Sequence, residues 1–549
     1  MRITLGKSAN RLVKKRDLIH LTILSAIALG IGIYLIATTV LISKDGVLYI
    51  ELAQKFSNDP IGIVKSRYPF GYPFLIFISH KFVTLLSNSS SVQTWIYSAQ
   101  GVNLLCRLLA LIPLYFLGKL LVGGKNSFWA VLILVILPYP AQIGSDALRD
   151  WPHILFLAIG FLILLWAARN GKWWAFGLVG LSSGIGFLIS TMCGQLVVYG
   201  TLWILVSLFL SKPSMSRLKL VCALFILLSG FSISAGPYMK TRGKVPHRLN
   251  RIIKSFSCSP AQEKDGIFQE AINTDRYLTR MASDDVVTAF GEIVKSVSEN
   301  LMYFFLLPWC VAFYYRFREK ADYEERFFIT SFVFVNVAMI VLRYHSDPDV
   351  SRRYCLPLVA LTIFYVPSGL QVIGEWFENR FPMNKLKIDS FKRDRAWCFL
   401  ILLLIGVSIC LPKLLRPIRG DKQGYRTAAK WLQEHTAGNE LIAVTDRRIY
   451  FYANRKGAVY TEEIPQQAQY VVKVVENEGE EPKMQGAAQE EFSVWVDERE
   501  KRKKLVIYRV IDKRLSIGVG YWPFFNNTTE MVFARIYRFN SKVLRWMYK

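Results

Sequence analysis

The chain of 549 residues is 52% hydrophobic, has a mean hydropathy of +0.27 and carries a formal net charge of +27. Apolar content of that size, gathered in long blocks, excludes an ordinary soluble enzyme and marks an α-helical polytopic membrane protein. The excess of Lys and Arg does not indicate a nucleic-acid binder, because it concentrates in short segments between apolar blocks, where it orients membrane spans and attracts anionic lipid.

In chain order, a basic segment, 1–17, precedes a first apolar run at 18–42 that lacks Asp, Glu, Lys and Arg. Roughly 25 residues suffice to cross the hydrocarbon core with some tilt, and the run is too long for a cleavable signal and lacks a small-residue cleavage site. A long outer loop follows at 43–93. Within it 45–57 reads as a helix, and 66–86 opens on SRYPFGYP, a stiff aromatic turn leading into a second interfacial helix. Further spans are expected at 94–117, 127–143, 151–168, 173–190, 195–210, 218–236, 301–315, 327–342, 354–373 and 396–415, about eleven in all. The intervening segments 118–126, 169–172, 211–219, 316–326 and 374–395 are rich in Lys and Arg, whereas 138–150, 191–194 and 343–353 carry few. This asymmetry predicts an N-in, C-out membrane domain over 18–415. A second long outer loop occupies 237–300. From 416 to 549 hydropathy falls and a mixed pattern begins, with TAAKWLQEH as a helix and LIAVTD, YVVKVV, FSVWV and LVIYRVI as strands, predicting a small extracytoplasmic α/β domain. The eight cysteines show neither a disulfide framework nor zinc spacing, and only Cys258 lies well inside an outer loop.

Residues able to do chemistry gather on the expected outer face. Asp45 follows the first span directly, shares a helical face with Tyr49 at i and i+4, and adjoins Gly46, which permits close approach. A helix-start carboxylate meeting the dipole is the bland alternative. The next outer loop holds SDALRD, with Ser145 as a candidate N-cap and Asp146 and Asp150 on one face of the helix that follows; a self-paired Asp146, Arg149 and Asp150 cap is the alternative. Arg352, Arg353 and Tyr354 stand at the mouth of a late span, and Lys240, Arg242 and Lys244 just past another outer helix end. Guanidinium and ammonium groups there fit a phosphate, with anchoring in lipid headgroups as the alternative. Arg67 and Tyr68, in the aromatic turn, join Tyr49 as candidate substrate contacts. His345 with Asp347 and Asp349 makes only a weak metal motif.

Together the early Asp45, the YPFGYP turn, the second acidic cluster, the Arg352, Arg353, Tyr354 run and the C-terminal domain resemble the family C (GT-C) membrane glycosyltransferases. The branch indicated is the one with protein O-mannosyltransferases and the lipid A aminoarabinose transferase. The resemblance implies transfer of a sugar from a polyprenyl-phosphate donor to a glycan, lipid or protein acceptor hydroxyl on the extracytoplasmic face, in a membrane such as the bacterial cytoplasmic membrane. It further implies Asp45 as the first-loop catalytic acid, Asp146 or Asp150 as the second, and Arg353 with Tyr354 as a phosphate contact, joined by Arg242 and Lys240. Lys44 occupies the position where a second acid would favour a metal-bridged site, so no cofactor is expected to be required and a divalent metal lacks support from the motif. The competing class, a lipid or glycan transporter, would place ionisable groups within the spans, which here are nearly free of charge except Arg107. A membrane-anchored sensor would leave Asp45 and Asp150 without purpose.

Overall fold

The structure, a computed structural model, describes residues 14–87, 90–209, 215–243, 283–346, 351–380, 396–460, 464–465, 467–476 and 488–511. Lys244, Cys258, the side chain of His345, Asp347, Asp349 and the chain beyond residue 511 lie outside the described residues. The helical part runs α1 (Lys15–Ala37), α2 (Lys44–Lys55), α3 (Pro60–Lys65), α4 (Gly71–Ser87), α5 (Val92–Val122), α6 (Gly124–Ile136), α7 (Pro138–Gly144), α8 (Asp150–Asn170), α9 (Ala175–Ile189), α10 (Gln195–Phe209) and α11 (Arg217–Arg242). It continues with α12 (Ser283–Asn300), α13 (Leu306–Tyr315), α14 (Tyr323–Ser346), a 3₁₀ turn (Arg352–Cys355), α15 (Leu356–Thr362), α16 (Val366–Arg380) and α17 (Ala396–Leu414).

Among the described residues, eight helices are long and apolar enough to cross a membrane, or nine if α6 and α7 form one span bent by 70°. The run 127–143 bends because Pro138 begins a new helix, and the residue before a proline is driven out of the helical region; Leu137 has ψ of 124°. The expected span at 301–315 is cut to α13, because Met302 and Tyr303 take φ of 54° and 59°, a left-handed turn that a continuous helix cannot contain. Helix α9 is also short, and it packs closely on α11: a Cβ on Gly180 would lie 2.2 Å from the carbonyl oxygen of Leu227.

One local expectation is corrected. Ser145 does not cap a helix, and Asp146 and Asp150 do not share a helical face. Helix α8 begins only at Asp150, which places Pro152 in its first turn. A start at Asp146 would put that proline in the interior, where it removes a hydrogen bond and clashes with the preceding turn.

After α17 come α18 (Gln423–His435), β1 (Leu441–Val444), α19 (Arg448–Tyr452), β2 (Lys456–Val459), β3 (Tyr470–Val475), β4 (Ala488–Trp495) and β5 (Lys504–Val510). They build one five-stranded sheet in the order β2-β1-β3-β5-β4. Strand β1 runs parallel to β2 and β3, and β5 runs antiparallel to β3 and β4, with a bulge between Glu490 and Phe492. Alternate residues Ile442, Val444, Tyr470, Val472, Leu505 and Ile507 pack with Ala428, Ala429 and Leu432 of α18 in a core separate from that of the bundle. Four of these strands are read directly from the sequence. The fifth, β2, is a four-residue edge strand containing Lys456 and Gly457, with no apolar run to announce it.

Candidate active site

Two helix starts and one 3₁₀ turn bring three of the candidate side chains together. Ser43 caps α2, its hydroxyl accepting the Gly46 amide at 2.9 Å, and Asp45 follows in the first turn, where the helix dipole favours a carboxylate. Asp150 opens α8 in the same way. Arg353, in the turn that leads into α15, donates from Nη1 to Asp45 Oδ2 at 2.7 Å and from Nε and Nη2 to Asp150 Oδ2 at 3.2 and 3.0 Å. One guanidinium thus holds two carboxylates by charge-assisted hydrogen bonds. The group is accessible: the Asp45 side chain is 51% exposed, against 22% for Arg353 and 17% for Asp150.

Aromatic groups wall one side. The ring of Tyr49 stands edge-on to Tyr72 and Tyr68, with centroids 5.2 and 6.3 Å away, and Arg149 lies over it with Cζ 5.8 Å from the centroid. Burial pushes the Tyr49 phenol up to about 12, so it stays protonated at neutral pH. The Arg149 Nη1 is buried and has no hydrogen-bond partner among the described residues, a cation beside the site with its hydrogen bonds incomplete. Arg242, at the end of α11, donates to the Tyr238 hydroxyl at 3.2 Å and to the Arg67 carbonyl at 3.0 Å, tying α11 to the aromatic turn. Lys240 is exposed in the same last turn.

Not every expected residue joins the group. Asp146 is buried and already saturated: Oδ1 accepts the amides of Ser43 at 3.0 Å and Ala147 at 2.8 Å, and Oδ2 accepts Arg419 Nη2 at 2.7 Å. Tyr354 stacks beneath Arg343, 3.8 Å from guanidinium carbon to ring centroid. Arg352 turns away to Glu299, at 3.3 Å, and lies over Tyr139. Among the described residues, no three His, Cys, Asp or Glu side chains gather as a metal site.

Sequence reasoning missed Arg149 and Arg419. In the sequence Arg149 reads only as part of a self-paired cap, and Arg419 sits in a basic stretch after the last span, where charge reads as solvated linker. Neither has a spacing that could have announced it. Gly46 is needed where it stands, since a Cβ there would lie 2.7 Å from the carbonyl oxygen and 2.8 Å from the Cβ of Ala147. This close approach seats α2 on the second acidic loop.

The aromatic turn, the second acidic loop and the α9 to α11 pair fall within residues 72–234, or border it, and that stretch matches the family model for dolichyl-phosphate-mannose-protein mannosyltransferase. No curated protein sequence matches the chain. Among solved structures, ArnT from Cupriavidus metallidurans bound to undecaprenyl phosphate is similar with a TM-score of 0.54 at 12% identity, over 91% of this chain and 99% of that one. The Archaeoglobus fulgidus oligosaccharyltransferase tethered to an acceptor peptide containing the NVT sequon is similar with a TM-score of 0.51 at 12% identity, over 84% of this chain and 69% of that one. With a helical bundle, two carboxylates held by one guanidinium and a C-terminal sheet domain, the chain has the fold of the GT-C membrane glycosyltransferases.

Proposed function

We propose that this protein transfers a sugar from a polyprenyl-phosphate donor to an acceptor hydroxyl, on the extracytoplasmic side of the membrane that the distribution of Lys and Arg assigns to Asp45. The observation that carries the reading is the meeting of Asp45 and Asp150 on the single guanidinium of Arg353 at an open mouth of the bundle. The likeness to structures whose ligands are undecaprenyl phosphate and an acceptor peptide supports the substrate classes.

In this reading Asp45, the more exposed carboxylate, takes the proton from the acceptor hydroxyl. The oxygen attacks the anomeric carbon from one face, the bond from that carbon to the phosphate oxygen breaks on the other, and the polyprenyl phosphate departs with the electron pair. A single displacement inverts the anomeric centre. Arg353 holds both carboxylates in register. Arg242 and Arg149, which pair with no carboxylate among the described residues, meet the lipid phosphate and stabilise the charge that grows on it. Polyprenyl phosphate is a fair leaving group, so the chemistry does not require a metal.

The test is turnover by the purified protein in lipid nanodiscs, given a panel of polyprenyl-phosphate sugars and a membrane-lipid and glycan acceptor fraction, with products identified by mass spectrometry. A new glycosidic bond of inverted configuration is expected. Release of free sugar alone, or no consumption of any donor, would remove the transferase reading.

A further inference from the structure

The edge of a parallel sheet that ordinarily receives a ligand lies beyond the carboxyl ends of its strands, where the chain order reverses. In the C-terminal domain that point is the end of β1: the chain leaves it through α19 to β2 on one side, and the next strand, β3, pairs on the other. Helix α2 occupies this edge. Lys44 and Glu51, at i and i+7, share one face of α2. Lys44 Nζ lies 3.3 Å from Asp446 Oδ2, while Glu51 accepts the Tyr450 hydroxyl at 2.7 Å and lies 3.6 Å from Arg447. Asp446 is itself buried and held by Arg448 at 3.0 and 2.6 Å. Burial raises its carboxyl, but the hydrogen bonds and charge of Arg448 outweigh this and keep it below the usual carboxylate value.

A second set of contacts grips the segment just before α2. The Ile42 amide donates to the Tyr452 hydroxyl at 3.0 Å, and the Val40 amide to the Ile418 carbonyl at 3.1 Å. Arg419 donates to the Leu41 carbonyl at 2.9 Å and to Asp146, whose other oxygen accepts the amide of Ser43, the cap of α2. Asp45 lies two residues beyond that cap.

We propose that the C-terminal domain is a positioning element of the transfer site: it holds α2 at Lys44 and Glu51, and through Arg419 and Asp146 at Ser43, so that Asp45 is set against Arg353. Asp146 and Arg419 are positioning residues, and the ligand-binding edge of the sheet is filled by a piece of the same chain. This inference rests on the catalytic reading of Asp45 given above.

Two variants of the full-length protein test it. Arg419 has φ of 54°, where glycine is at ease, so Arg419→Gly removes the guanidinium without backbone strain. The paired change Tyr450→Phe with Glu51→Gln loosens the half-exposed latch and keeps the test decisive if the first variant does not fold. In both, amide exchange of peptides covering 43–51 is expected to accelerate several-fold, with kcat down about tenfold and the donor KM within about twofold, because misplacement of a reacting group by an ångström slows chemistry without weakening binding. A merely structural role would lower melting temperature and leave kcat per folded molecule intact. Exchange at 43–51 equal to wild type, or faster exchange with unchanged kcat, overturns the proposal. If wild-type protein transfers no sugar, the transferase reading falls, and exchange at 43–51 still decides whether the domain holds α2.

Discussion

The bundle carries two clusters of arginine and carboxylate, one at each end of α8, about 30 Å apart at the rise of an α-helix. At the Asp150 end one guanidinium serves two carboxylates and the group is open. At the Arg169 end the central carboxylate serves two guanidiniums and is sealed: Glu325, 0% exposed, accepts Arg316 at 2.9 and 2.8 Å, Arg169 at 3.4 Å and the Tyr365 hydroxyl at 3.1 Å, while Arg169 also donates to the exposed Asp322 at 3.1 Å. The same two arginines donate to the Leu121 and Leu120 carbonyls at 2.5 and 2.7 Å, satisfying the last turn of α5. The components are alike, and what separates them is access. A buried carboxylate with its acceptors filled has nothing left to offer a substrate, whereas Asp45 keeps an exposed face beside an aromatic wall.

That contrast can be broken in four ways. Asp45→Asn should leave folding intact and lower turnover by about 10²–10⁴-fold, the usual contribution of a general base; transfer at a near-normal rate would move Asp45 out of the chemistry. Glu325→Gln should do the reverse, costing about 3–5 kcal/mol of stability in a detergent melt because it removes the buried charge that pairs Arg316, while the surviving folded protein turns over normally. Arg353→Lys keeps the charge but cannot reach both carboxylates; a drop of about tenfold in kcat with little change in donor KM is expected, whereas a raised KM with intact kcat would make Arg353 a phosphate contact instead. The smallest effect belongs to Lys44→Ala. Its side chain is 60% exposed, and the pair with Asp446 should contribute less than about 1 kcal/mol, measured as the shift in denaturant midpoint.

Much of the open cluster was legible in the sequence, because a carboxylate just past an apolar run is conspicuous and the Arg353 pair stands out against sparse outer charge. The contact among Asp45, Asp150 and Arg353 was not, since no periodicity links residues on two helix starts and a 3₁₀ turn far apart in the chain. Glu325 went unnoticed for a different reason: it lies in a segment, 316–326, whose Lys and Arg are explained by orientation alone, so its neighbours had no call on a partner. Asp146 was misjudged through one residue. Ser145 and Asp146 look like a helix start, and it is Pro152 that forbids the helix from beginning there. The sheet domain was readable strand by strand, but its docking on α2 depends on Arg419, Tyr450 and Tyr452, which carry no pattern a single sequence exposes.

The grip of Tyr450 and Tyr452 on residues 42–51 joins positions that leave the ribosome at very different times. At a synthesis rate of about 5–20 residues per second, α2 waits roughly 20–80 s after its own emergence before the strand and helix that hold it exist. Through that interval Asp45 has neither Arg353 nor the sheet domain for most of the time, and the site is completed among the last events of biogenesis. On the proposed reading, a nascent chain carrying every membrane helix holds Asp45, Asp150 and Arg353 but lacks the sheet domain's grip on α2, so it turns over more slowly than the finished protein.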